Sequence, residues 1–105
     1  MARMPVPKLR SIDEGEFKDL VREAMTEVSF FSFRVGPGFL KLRQVFKKND
    51  YTWVVGFWAK SYGPELEVFQ TPAATPRNLR AAIVCGIEEN LRQWIKIAND
   101  RDQQI

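Results

Sequence analysis

The run FLKLRQVFKKNDYTWVVGFWAKSYGPELEVFQT, Phe39 to Thr71, decides the fold. It alternates apolar and polar residues with a period of two and is broken twice by turn-forming residues, the pattern of half-buried strands joined by short links. Phe39–Lys47 reads as a strand, Lys48-Asn49-Asp50 as a turn and Tyr51–Lys60 as a second strand. Tyr62-Gly63-Pro64 reads as another turn, leading into a short strand from Glu65 to Thr71. Upstream, Val28–Val35 is dense in Phe and Val and is followed by Gly36-Pro37-Gly38, a strong turn signal. It is expected to be the first strand of a four-stranded antiparallel meander.

Helices are expected on both flanks. Ser11-Ile-Asp-Glu14 has the form of a capping box, and Phe17, Leu20, Val21, Ala24, Met25 and Val28 follow at helical spacing. A first helix is expected over about 12–27. After the loop Thr71–Pro76, Thr75 can serve as N-cap with Pro76 in the first helical position. Leu79, Ala82, Ile83, Ile87, Leu91, Trp94, Ile95 and Ala98 then form the stripe of a last helix over about 76–99. The fold class is therefore α+β, in the order α-β-β-β-β-α, with both helices expected on one face of the sheet. Residues 1–10, with Pro5 and Pro7, read as an extended arm, 11–99 as one domain and 100–105 as a frayed tail.

Alternation sorts the strands into two faces. Phe31, Phe33, Val35, Leu40, Leu42, Phe46, Trp53, Val55, Phe57, Ala59, Leu66 and Val68 are expected to face the core. The other face carries a mixture of bases and rings: Arg34, Phe39, Lys41, Arg43, Lys47, Trp58, Lys60 and Phe69. Arg34, Lys41, Trp58 and Phe69 are expected in one row across the sheet, and Phe30, Val45 and Val54 in an apolar one. A plain solvated face does not use Trp, Phe and Val in this way, so this surface is expected to meet a partner.

Composition narrows the choice of partner. The chain has 105 residues, one domain's worth, and a formal net charge of +3, a mild bias that permits but does not demand an acidic ligand. It has no histidine and one cysteine, Cys85, which excludes an internal disulfide and the metal sites built from Cys and His. A lone thiol fits a reducing compartment, so a cytoplasmic location is expected. No run approaches the roughly 20 apolar residues of a membrane helix, and the N-terminus lacks a signal peptide's apolar core.

Three functions compete for the outer face. Trp58, Phe69, Phe39 and Phe30 could stack the bases of single-stranded DNA or RNA while Arg34, Lys41, Arg43, Lys47 and Lys60 hold phosphates. A four-stranded meander followed by a long helix resembles, at the level of fold alone, the Whirly family of single-strand binders. Alternatively, two sheets could pack face to face through Phe30, Val45, Val54, Trp58 and Phe69, in a homodimer or with another protein. Catalysis would fall to carboxylates, Tyr, Lys or Cys85; the helix cap and dipole account for Asp13, Glu14 and Glu16, and nothing near Cys85 in sequence activates it. The reading is a non-catalytic binding module without a cofactor, expected to be a homodimer, with a protein-interaction or structural role as its alternative.

Overall fold

A computed structural model describes residues 12–31, with side chains only as far as 28, and then 38–71 and 74–102. The order is α1 (Glu14–Phe31), β1 (Leu40–Asn49), β2 (Thr52–Ala59), β3 (Glu65–Phe69) and α2 (Pro76–Asp102). The strands form one antiparallel sheet in the order β1-β2-β3. Three strands are thus present among the described residues, where four were expected.

The beginning of the expected first strand is helical for a reason of phase. Phe17, Val21, Ala24 and Val28 are all buried and fall on one helical stripe, so Val28 extends α1. The β-preference of Phe and Val yields here to burial of that stripe. Residues 28–31 are consequently helical, and Phe30 belongs to α1 and to no sheet row. The rest of the expected strand, Arg34 included, lies outside the described residues. The helix start also differs from the Ser11 capping box: Asp13 is the N-cap, its carboxylate accepting the Glu16 amide at 2.8 Å and its carbonyl the Phe17 amide at 3.0 Å. Ile12 and Phe17, both buried, flank this cap as a hydrophobic staple.

Strand β1 carries two irregularities against β2, one between Leu42 and Gln44 and one between Lys47 and Asn49. The first makes Arg43 an extra residue, which inverts the alternation beyond it. Val45 therefore pairs with Val55 and is buried in the core, while Phe46 pairs with Val54 and faces outward, 43% exposed. Both placements correct the expectation, and so does Lys47, which lies opposite Trp53 with its ammonium 5.6 Å from that ring. Phe39, expected to face out, is half-buried against the core just before β1.

The turn between β2 and β3 is Lys60-Ser61, not Tyr62-Gly63-Pro64. Ala59 and Tyr62 exchange backbone hydrogen bonds at 2.7 and 3.1 Å, and Lys60 has φ of 56°. Lys60 is thus a turn residue and not an outer-face strand residue; its ammonium donates to Asn99 of α2 at 3.1 Å. The shorter loop sets the register so that Phe69 lies opposite Thr52, away from the Trp58 row.

Both helices cover one face of the sheet, giving two layers around a single core. Phe17 stacks on Trp53 with centroids 4.5 Å apart, and Phe57 meets Trp94 at 5.6 Å. Trp53 donates its indole N–H to buried Gln70 at 2.8 Å, and the Gln70 amide donates to the Tyr51 carbonyl. Arg80 of α2 reaches Glu23 at 3.4 Å and Glu27 at 2.7 Å on α1, tying the helices together. Thr75 caps α2 as expected, accepting the Asn78 amide on its hydroxyl at 3.2 Å. Leu79, Ile83, Ile87, Leu91, Trp94 and Ala98 are buried, whereas Ala82 is exposed, and the helix continues to Asp102.

Gly86 lets α2 approach β3: a Cβ there would lie 2.8 Å from Leu66 Cδ1 and 3.0 Å from Cδ2. The Gly86→Ala change should therefore destabilise the wild type, because overpacking costs about 1–3 kcal/mol against roughly 0.8–1 kcal/mol of helix propensity gained. In a Leu66→Ala background the same change should stabilise, a reversal of sign that denaturant midpoints would reveal. Lys60→Gly should raise the thermal midpoint, since a non-glycine residue in the left-handed region costs about 1–2 kcal/mol and the Asn99 bond is exposed.

Candidate binding face

The face of the sheet away from the helices is covered by none of the other described elements. Its middle strand contributes Thr52, Val54, Gly56 and Trp58 in alternation. Across these lie Asn49, Phe46, Gln44 and Lys41 on β1, and Phe69, Glu67 and Glu65 on β3. Trp58 is 44% exposed and Phe69 63%, and Tyr51 at the hairpin tip packs against Phe69 with centroids 6.3 Å apart.

Two ion pairs cross this face from edge to edge. Arg43 reaches Glu65 at 3.1 Å, and Lys48 reaches Glu67 at 2.7 Å. Both join β1 to β3, so both pass over β2. The close seat of Arg43 needs Gly56, where an added Cβ would come within 2.8 Å of the guanidinium. Arg43 also lies against Trp58, 5.6 Å from the ring, with its Nε buried and without a hydrogen-bond partner among the described residues. Val54 is 4% exposed although it faces outward. Its neighbours Phe46 and Glu67, with the Lys48–Glu67 pair crossing β2, account for that burial.

Of the residues predicted for this face, Lys41, Arg43, Val54, Trp58 and Phe69 are on it. Lys41 and Trp58 are direct partners, and among the described residues Lys41 has no ion pair. Phe39, Val45, Lys47, Lys60 and Phe30 are elsewhere, as described, and Arg34 is outside the described residues. Sequence reasoning missed Phe46, Tyr51, Lys48 and Glu65. The i-to-i+2 pair Glu65 and Glu67 on the shortest strand was the available signal that the bases of β1 have acidic partners.

Chemically the face is a mixed surface of rings and mutually neutralised charges. Among the described residues no group of three or more His, Cys, Asp or Glu is arranged to hold a metal ion. Cys85 is exposed on α2 and donates to Glu89 at 3.5 Å. The Glu89 carboxylate beside it holds the thiol above its ordinary pKa, the opposite of what a nucleophile needs. No helix among the described residues is long and apolar enough to cross a membrane.

Comparison with protein-family models, with curated proteins and with solved structures finds no match to this chain. The four-stranded meander on which the Whirly resemblance rested is not present among the described residues.

Glu67, by hydrogen bonding and by charge, holds the Lys48 ammonium above its ordinary pKa. A folded-state pKa raised above the unfolded value means the pair stabilises at neutral pH and loses its effect as pH rises through the raised value. The small stability difference between wild type and Lys48→Met should therefore shrink at pH above about 10.4, and also in 1 M salt, when followed by urea denaturation.

Proposed function

We propose that this chain is a non-catalytic binding module that works through the outer face of its sheet and meets protein there, as a homodimer. One observation carries the reading. The outer-face cations Arg43 and Lys48 are held by Glu65 and Glu67, while Phe46, Trp58 and Phe69 stay exposed. Rings surrounded by neutralised charge match the core and rim of a protein interface.

Single-stranded nucleic acid fits the same face less well. A phosphate backbone would have to displace two ion pairs and approach two glutamates, leaving Lys41 as the cation beside Trp58. The rings could stack bases, but the electrostatic attraction that supplies most of non-specific affinity is largely cancelled. Catalysis is disfavoured by the raised Cys85 thiol and by a sequence without histidine. The lone cysteine fits a reducing compartment, which supports a cytoplasmic location for the module.

Light-scattering mass measured over a concentration series should show a dimer at high concentration. Phe46→Ser and Trp58→Ser, both at exposed positions, should shift the mass to monomer and leave the circular dichroism spectrum unchanged. A labelled single-stranded oligonucleotide should not be taken up at low salt. Uptake at low salt with release at high salt would overturn the protein reading in favour of nucleic acid.

A further inference from the structure

The outer face is electrically polar across its width, a property that the proposed function does not by itself require. Arg43 and Lys48 lie on β1, Glu65 and Glu67 on β3, and the uncharged middle strand separates them. Each pair is therefore a dipole lying across β2, its cation toward the β1 edge and its carboxylate toward the β3 edge. Such a surface is complementary to a copy of itself in only one of two simple arrangements.

Two identical sheets packed face to face are related by a two-fold axis lying in the interface. If the axis runs across the strands, β1 covers the partner's β1 and β3 covers its β3, and like charges oppose each other. If the axis runs along β2, the rotation exchanges the two edges. The basic strand of each copy then lies over the acidic strand of the other, and the middle strands meet near the axis. Resting on the homodimer reading above, we infer that the occupant of this face is a second copy of the chain, docked about a two-fold axis parallel to β2.

The existing ion pairs are compatible with this arrangement. The side chains of Lys48, Glu65 and Glu67 are each more than half exposed, at 55%, 55% and 59%. A carboxylate accepts several hydrogen bonds, so Glu65 and Glu67 can keep their own cations and receive a second from the partner. Trp58, on β2, is carried toward its symmetry mate.

The size of the face sets the strength. Three strands at roughly 4.8 Å spacing and a middle strand of eight residues at about 3.3 Å each give a face of roughly 14 by 26 Å. Counted on both copies this is roughly 700 Å², below the roughly 1,000 Å² that a stable interface clears, so the dimer is weak and concentration-dependent.

A charge-reversed chain tests the axis. Arg43→Glu, Lys48→Glu, Glu65→Arg and Glu67→Lys made together exchange the two edges while leaving each internal ion pair intact in reversed sense. The smaller exchange Lys48→Glu with Glu67→Lys, at exposed positions only, serves if the fourfold variant does not fold. Reversed chains should dimerise with one another about as well as wild type does. When the two are mixed, with one carrying a mass tag, native mass spectrometry should show mixed dimers well below their statistical share. Mixed dimers in excess would place the axis across the strands, and a statistical mixture would remove charge from the docking; either overturns the inference. In both cases a wild-type dimer sensitive to Phe46→Ser would leave the homodimer reading standing. A wild type that stays monomeric at all concentrations would overturn both.

Discussion

The extra residue at Arg43 in β1 governs the rest of the sheet. Side chains alternate along a strand, so one unpaired residue exchanges the faces of those that follow, here as far as the second irregularity. Without that bulge Val45 would face out and Phe46 would enter the core. With it, Val45 joins Val55 under the helices, and Phe46 becomes part of the exposed patch beside Val54. The bulge also frees Arg43 to lie over Gly56 toward Glu65, which its regular neighbours on β1 do not do. The placement of Gln44 to Lys47 in core or outer face therefore follows from that irregularity, and the second, between Lys47 and Asn49, returns Asn49 to the outer face opposite Thr52.

On the other side of the sheet, packing is organised around Trp53. Its ring is stacked on Phe17 and lies near the Lys47 ammonium, and its N–H is answered by Gln70. Such a stack contributes about 0.5–1.5 kcal/mol beyond the area it buries, and the buried hydrogen bond avoids the cost of an unpaired donor. The same contacts fix how α1 crosses the sheet. Arg80, engaging Glu23 and Glu27 one turn apart, then holds α2 alongside it.

Much of this organisation is legible in the sequence, and the failures have identifiable causes. The last helix and its Thr75-Pro76 start follow from local chemistry alone, as do β2 and the inward set Trp53, Val55, Phe57 and Ala59. Val28 could serve either period, and only the tertiary burial of the α1 stripe decides for helix. The Arg43 bulge leaves no local mark, because a base in an alternating strand looks the same whether or not it is paired. Lys60 hid the true turn, since lysine in the left-handed region runs against residue preference and the nearby Gly63-Pro64 advertises a different one. Lys41, Trp58, Val54 and Phe69 were legible as outer-face residues because they precede the bulge or lie on other strands. Nothing in the sequence tells that Gly86 lies against β3 through Leu66, since the two are joined only by tertiary packing.

The packing of α1 against α2 has a consequence for how the chain is made. The two helices are first and last among the described elements, with the whole sheet between them. During translation α1 emerges with Phe17, Val21, Ala24 and Val28 unmatched, and its clamp on Arg80 is still unsynthesised. The β-hairpins can form locally in the interval, but their inner face is equally uncovered. The apolar stripe of α1 and the inner face of the sheet therefore find their full cover only once α2 has been made.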